Sequence, residues 1–143
     1  MQTFLPYPSF EESARVLDRQ RLGKQRVEGF QILKSLLLGG GWKHHPATKQ
    51  WASHEAALCE YIAAMCEEWT DRGYEDSVVV KVRYLLAEHP LSESTPPDWL
   101  GYEPYHSSHR ANLLRKNFAH YSQFGWTEDP ATPYYWPSHH DTP

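Results

Sequence analysis

The sequence predicts an all-α fold, a compact bundle of about four to five helices with an irregular C-terminal tail rich in proline and aromatic residues. Three observations indicate this class. Apolar residues recur at helical spacing, residues typical of helix caps precede those runs, and glycine or proline follows them. With 143 residues the chain has the usual length of one domain, so we expect residues 1–143 to form a single domain.

The first two predicted helices begin at caps. Ser9-Phe10-Glu11-Glu12 has the form of a capping box and predicts a short helix towards Leu17. Asp18 caps a longer helix that runs to about Leu38, where the glycines of residues 39–41 end it. The core face of this helix carries Leu22, Gly29, Leu33 and Leu36. A separate polar face carries Arg21, Lys24, Glu28 and Gln31.

Three further helices are predicted downstream. Pro46 suits the first turn of a third helix that stops at Gly73. A fourth helix extends over about residues 76–87, and a fifth begins near Ser107. The prolines between them, in residues 90–104, predict an irregular connection. The aromatic residues and prolines that end the chain predict a tail laid over the core.

Composition excludes several classes of protein. A chain that is 40% hydrophobic and 22% charged is typical of a folded domain and not of a disordered chain. No run approaches the ~18 apolar residues of a membrane span, and the start of the chain lacks the pattern of a signal peptide. Cys59 and Cys66 lie about 10 Å apart along one predicted helix, too far for a disulfide. We therefore expect a cytoplasmic monomer that does not contact a membrane.

The net charge of −4 hides a segregation of charge along the chain. Residues 11–34 contain six basic and four acidic residues, and residues 106–121 contain three basic and none acidic. Residues 55–76, in contrast, contain seven acidic residues and one basic residue. Local positive surface matters more for nucleic-acid contact than net charge does. The charge pattern is therefore compatible with DNA binding but does not demonstrate it.

One segment could carry catalysis. The helix face that begins at Asp18 places Glu28 among cations and amides. Such neighbours normally hold a carboxylate ionised, which suits a group that removes a proton or stabilises positive charge. The alternative is an ordinary ion pair between Lys24 and Glu28 on a solvated helix face.

Three other segments could bind nucleic acid, and each has a structural alternative. The histidines of residues 41–46 contact phosphate or cap a helix. Residues 106–116 place Arg110 in the first turn of a helix, which is either a phosphate site or a charged surface. The rings of residues 132–137 stack on bases or cover the core. The histidine pair at 106 and 109 lacks the companions of a zinc motif, so we expect no metal and no cofactor.

Taken together, these segments resemble the pyrimidine-dimer DNA glycosylase (endonuclease V-like) family. The matching pieces, in chain order, are Leu17–Gln20 with Arg26 and Glu28, then Gly41–Pro46, Arg72–Tyr74, His109–Lys116 and Pro133–Pro137. The resemblance implies a small helical protein whose N-terminus is threaded into the active site, with double-stranded DNA as its partner. It implies a DNA repair glycosylase that also cleaves abasic sites.

The resemblance also implies a mechanism. The terminal α-amine attacks C1′ of the damaged nucleotide and forms an imine, and β-elimination then nicks the strand. Motif match makes Glu28 the assisting carboxylate. The bulk of Gln2 hinders removal of the initiator methionine, so we expect the nucleophile to be the amine of Met1. An α-amine titrates near pH 7.7–8 and is partly neutral in the cell. Lys24 is the alternative nucleophile.

We expect the DNA to lie in a groove between two positive segments, Arg19–Arg26 and Arg110–Lys116. The predicted DNA-binding residues are Gln20, Arg21, Arg26, His45, Arg110, Arg115 and Lys116. The alternative function is a nucleic-acid-binding protein that keeps the same scaffold without catalysis.

Overall fold

The computed structural model describes residues 1–137, and over that range the chain is all-helical, as predicted. The described residues form seven α-helices, which are α1 (Phe10–Val16), α2 (Arg19–Leu38), α3 (Pro46–Lys49), α4 (Glu55–Asp71), α5 (Val78–Glu88), α6 (Glu103–Lys116) and α7 (Phe118–Tyr121). A short 3₁₀ helix, Ser122–Phe124, follows α7. The end of the predicted tail, residues 138–143, lies outside the described residues.

The predicted count of four to five helices is wrong because two of the predicted helices are broken. The third breaks after Lys49, where Ser53 adopts a left-handed φ of 70° that is incompatible with helix. The fifth breaks at Asn117, whose φ of −153° and ψ of 75° are not helical. The Asn117 side chain then accepts a hydrogen bond from the His120 N–H and caps α7.

The predicted helix ends are otherwise close to those in the structure. The side chains of Ser9 and Asp18 cap α1 and α2 by accepting backbone N–H bonds, as the sequence indicates. After α4, Gly73 adopts a φ of 95°, a left-handed conformation that glycine tolerates best. Helix α6 begins at Glu103, earlier than predicted, because Pro104 lies in the first turn, where its missing N–H has no helical partner to lose.

Helix α2 packs most extensively against α4. The two helices approach closely at Gly29, where an added Cβ would lie 2.8 Å from Cγ1 of Ile62. Helix α1 packs on the same partner, and the tail rings Tyr134 and Trp136 pack against the core. Cys59 and Cys66 are both free, as predicted. Within residues 1–137, no helix combines the length and apolarity needed to cross a lipid bilayer.

The N-terminal segment, residues 1–8, contains no helix or strand, and it passes through the interior before it reaches the surface at Pro8. Residues 2–6 are buried between the α2–α4 pair on one side and α6 on the other. Leu5 is completely buried, and Phe4 nearly so. The segment is therefore an inner layer of the bundle, and its path determines where the chain terminus lies.

We expect Gly29→Ala to lower the free energy of unfolding by about 1–3 kcal/mol, because the new methyl group would force Ile62 and α4 outwards. The loss should occur although alanine is the better helix former. Urea unfolding of the variant measures it. Gly41→Ala is the matched control, since a Cβ there meets no atom within 4 Å. Equal unfolding free energies for the two variants would contradict the close approach of α2 and α4.

Candidate active site

Two histidines of α6 hold both polar groups of one buried peptide residue, Leu5. The Nδ1 of His106 donates to the Leu5 carbonyl over 2.7 Å. The Nδ1 of His109 accepts from the Leu5 N–H over 2.9 Å. His106 Nε2 also accepts from the Gly101 N–H over 2.8 Å. Because each ring must accept one hydrogen bond, both imidazoles are neutral, and their tautomers differ.

The burial of these rings favours the same neutral state. Burial, together with the neighbouring His106 and Arg110, lowers the pKa of His109 to about 3. Burial also lowers the pKa of His106. The i,i+3 spacing of the pair therefore serves a peptide clamp. Among residues 1–137, no group of histidine, cysteine and carboxylate side chains could hold a metal ion.

Side chains from α2 and α4 hold the next residue of the segment, Phe4. The Oε1 of Gln25 accepts from the Phe4 N–H over 2.7 Å. The hydroxyl of Tyr61 donates to the Phe4 carbonyl over 3.0 Å. On the far side of the clamp, the Arg110 guanidinium donates to the Pro6 carbonyl over 2.7 Å. Side chains of three helices thus form hydrogen bonds to the backbone of the segment, and these bonds restrict where the preceding residues can lie.

The clamp places Met1 in a pocket of about 260 Å³ beside α2. Six of the residues predicted for the site line this pocket, namely Met1, Gln20, Arg21, Lys24, Glu28 and Lys116. Gln2 and Phe4 from the N-terminal segment, Gln25 from α2 and Tyr134 from the tail complete its wall. The pocket therefore contains a primary amine at the chain terminus, a lysine and a carboxylate within one small volume.

Glu28 is the carboxylate of this pocket, and its environment differs from a solvated helix face. It belongs to none of the ion pairs formed within residues 1–137. Burial raises the pKa of Glu28 above its ordinary value. The charges of the Met1 amine, Lys24 and Lys116 and a hydrogen bond from Gln25 oppose that shift without cancelling it. Glu28 is therefore a stronger base than a surface glutamate. This corrects the expectation that the neighbouring cations would outweigh burial and hold its pKa low.

The pocket has an excess of positive charge. Arg21, Lys24 and Lys116 line it together with the terminal amine, whereas Glu28 is the sole acid among the described lining residues. Burial and the charges of Arg21 and Arg115 lower the pKa of Lys116. Cations crowded in this way repel one another, so an anion such as a phosphate group would relieve the repulsion.

Two arginines predicted to bind DNA are held inside the protein. Arg26 forms an ion pair with Asp76 and lies over the Trp69 ring, 4.4 Å from its centroid. Arg110 forms an ion pair with Glu128 over 2.8 Å. Each arginine has a side-chain exposure of 12%. The structure therefore separates Arg26 and Arg110 from the pocket and gives both of them structural partners.

The other two predicted DNA-binding residues flank the site. His45 caps α3 by accepting the Ala47 N–H over 3.0 Å. Burial lowers its pKa, and so does the charge of the Met1 amine, although His45 does not line the pocket. Arg115 donates to the Pro130 carbonyl over 2.9 Å and so holds the C-terminal tail.

Sequence reasoning missed Gln25, which touches both the N-terminal segment and Glu28. Its Nε2 donates to Oε2 of Glu28 over 2.9 Å. The signal was present, since Gln25 lies three residues before Glu28 and therefore one helical turn away on the same side. Tyr134, in the segment considered for base stacking, was not singled out as a residue of the pocket.

A family model described as pyrimidine dimer DNA glycosylase matches residues 1–81. This range is more than half of the chain and includes the N-terminal segment, Gln25, Glu28 and Tyr61. Comparison with curated proteins and with solved structures finds no match.

The buried state of His109 predicts that the protein loses stability in acid. His109 is neutral when folded but takes up a proton when unfolded between about pH 6.5 and pH 3. The unfolded chain therefore binds more protons in this range. As the pH is lowered, the unfolding free energy decreases by up to about 1.4 kcal/mol per pH unit because of this residue. We expect His109→Asn, which retains an acceptor for the Leu5 N–H, to be less stable at pH 7 but to show a shallower decline.

Urea unfolding at a series of pH values between 7 and 3.5 measures the effect. His44→Asn is the matched control because His44 is exposed. The same decline in His109→Asn and in the parent protein would show that His109 does not govern acid stability.

Proposed function

Since the chain belongs to the pyrimidine dimer DNA glycosylase family, we propose that it removes pyrimidine-dimer-like or modified bases from double-stranded DNA and then cleaves the strand at the abasic site. One observation supports the proposal above all. The primary amine of Met1 and the carboxylate of Glu28 line the same pocket, together with cations suited to phosphate. An amine nucleophile, a base and an anion site are the groups that an imine-forming glycosylase needs.

In the first stage the neutral amine of Met1 attacks C1′ of the damaged nucleotide. The bond between C1′ and the base breaks with its electron pair on the base, and the C1′–O4′ bond then opens. A C1′=N imine remains, and the two amine protons end on the departing base and on O4′. The carboxylate of Glu28 stabilises the positive charge that develops at C1′ during this stage.

In the second stage Glu28 removes a proton from C2′ of the imine. The electron pair of that C–H bond forms the C2′=C3′ double bond, and the C3′–O bond breaks to release the phosphate. Water then hydrolyses the imine and regenerates the amine. The raised pKa of Glu28 suits this role because a stronger carboxylate base accepts the C2′ proton more readily.

The proposed DNA-contacting groups are polar and basic side chains that line the pocket. Arg21, Lys24 and Lys116 face the phosphates of the damaged strand, and Gln20 lines the same pocket. The proposed contact surface omits Arg26 and Arg110 because both form internal ion pairs and neither lines the pocket. Arg21 is retained because it lines the pocket, although it also pairs with Asp18 over 3.3 Å. Most of the affinity would be electrostatic, so it should fall with added salt.

We expect Glu28→Gln to bind duplex DNA as tightly as the parent protein but to lose strand cleavage. The amide keeps the shape of the side chain while it removes both the negative charge and the base. Gel-shift titration measures the affinity, and cleavage of a duplex with a single abasic site measures the activity. Glu60→Gln, the same change at an exposed position on α4, is the control. Full cleavage by a folded Glu28→Gln protein would remove Glu28 from the mechanism.

Reduction with borohydride in the presence of abasic duplex identifies the nucleophile, because it converts an imine into a stable protein–DNA adduct. We expect Lys24→Ala to form the adduct and a protein with a selectively acetylated N-terminus to lose it. The reason is that the resemblance to the family assigns the imine to the chain terminus, and Met1 lines the pocket with Glu28. Peptide mass mapping then places the adduct on the residue that formed it.

The opposite result would assign the imine to Lys24, which lines the same pocket. Tight DNA binding by the unmodified protein with neither adduct nor cleavage would contradict the enzymatic proposal. It would favour a binding protein on this scaffold.

A further inference from the structure

Gln25 has both ends of its side-chain amide engaged in the interior. Its side chain is 1% exposed. Oε1 accepts a 2.7 Å hydrogen bond from the Phe4 N–H. It also lies 2.7 Å from the Tyr61 hydroxyl, whose single proton it shares with the Phe4 carbonyl at 3.0 Å. Nε2 donates to Oε2 of Glu28 over 2.9 Å. One neutral side chain thus connects the N-terminal segment, α4 and the carboxylate of the pocket.

The chemistry of the partners determines which way this amide points. A backbone N–H can only donate, so the Phe4 N–H requires the oxygen of Gln25 on its side. The NH₂ group must then face Glu28, and Glu28 must accept. A carboxyl group that accepts from a fixed donor is favoured in its ionised form. The path of the N-terminal segment is in this way coupled to the state of Glu28.

We propose that Gln25 is a positioning residue for the reaction. It orients the Glu28 carboxylate and favours its ionised form, and it holds the N-terminal segment that carries the proposed nucleophile at a set distance from that carboxylate. This inference rests on the proposed function for its catalytic meaning. Its physical content is that the Gln25–Glu28 hydrogen bond controls the protonation of Glu28.

The charged and titratable groups that face Glu28 come from every element around it. They are the Met1 amine from the N-terminal segment, Lys24 from α2, Tyr61 from α4, Lys116 from α6 and Tyr134 from the tail. Gln25 differs from all of them because it cannot titrate and makes a direct hydrogen bond to the carboxylate. A change at Gln25 therefore alters that hydrogen bond while leaving the surrounding cations in place.

Gln25→Glu is the decisive variant. The new side chain has the same length and can still accept from the Phe4 N–H and the Tyr61 hydroxyl. Its other oxygen would face Oε2 of Glu28 at about hydrogen-bond distance, and two carboxylates so close share one proton. We expect the acid limb of the pH profile of kcat/KM, for cleavage of an abasic duplex, to move to higher pH by about one unit or more.

Tyr61→Phe is the matched control. It removes the hydroxyl proton that Oε1 of Gln25 shares with the Phe4 carbonyl but leaves the Gln25–Glu28 hydrogen bond in place. We expect lower thermal stability and an unchanged acid limb. If Gln25 only supports the fold, Gln25→Glu will behave in the same way as Tyr61→Phe, and the proposal is overturned.

An exchange of the two groups gives a second, independent measurement. The double variant Gln25→Glu/Glu28→Gln restores one donor and one acceptor with their direction reversed. We expect its thermal stability to recover above that of Gln25→Glu alone, while cleavage stays absent because the pocket no longer contains a base. A double variant that is no more stable than Gln25→Glu would show that the hydrogen bond is not what couples the two positions.

Carbon-13 NMR titration of the Glu28 carboxyl, assigned with Glu28→Gln, separates this inference from the proposed function. The titration midpoint should rise in Gln25→Glu and, by less, in Gln25→Met, which removes the donor without adding charge. Absence of cleavage and adduct in the unmodified protein would defeat the proposed function, yet these midpoints would still test Gln25. Midpoints unchanged in both variants would overturn the inference whether or not the protein cleaves DNA.

Discussion

A buried peptide segment without a strand beside it must have its N–H and C=O groups satisfied by side chains, because an unpaired group in the interior costs about 1–3 kcal/mol. Residues 2–6 of this chain are such a segment, and the surrounding polar architecture depends on them. Gln25 and Tyr61 serve Phe4, and His106 and His109 serve Leu5. These polar residues occupy core positions because the backbone groups to which they hydrogen-bond are buried in the core.

The same constraint links fold to chemistry. An extended segment bonded from three helices has little freedom, so its first residue arrives at a defined place beside α2. That place is the pocket of Glu28, where burial strengthens a carboxylate base and several cations lack counter-charges. The clamp therefore determines where the terminal amine, the proposed nucleophile, lies.

Charge in this protein divides into two populations that the sequence does not distinguish. Arg26 and Arg110 form ion pairs with Asp76 and Glu128, which lie far from them along the chain, and so stabilise the fold. Arg21, Lys24 and Lys116 converge on a pocket that contains a single acid among its described lining residues. Only the second population lines the pocket, which explains how a chain of net charge −4 can present a local positive surface.

The sequence by itself determined the helical class, the caps of α1 and α2 and the position of Glu28 on a polar face, because helix signals act within a few residues. It did not reveal the breaks at Ser53 and Asn117, which depend on single backbone conformations. Only the tertiary structure decided that His106 and His109 clamp a peptide and that Gln25 reaches Glu28 and Phe4 together. Those roles depend on partners up to 104 residues away along the chain, and no local pattern encodes which distant group a buried side chain will meet.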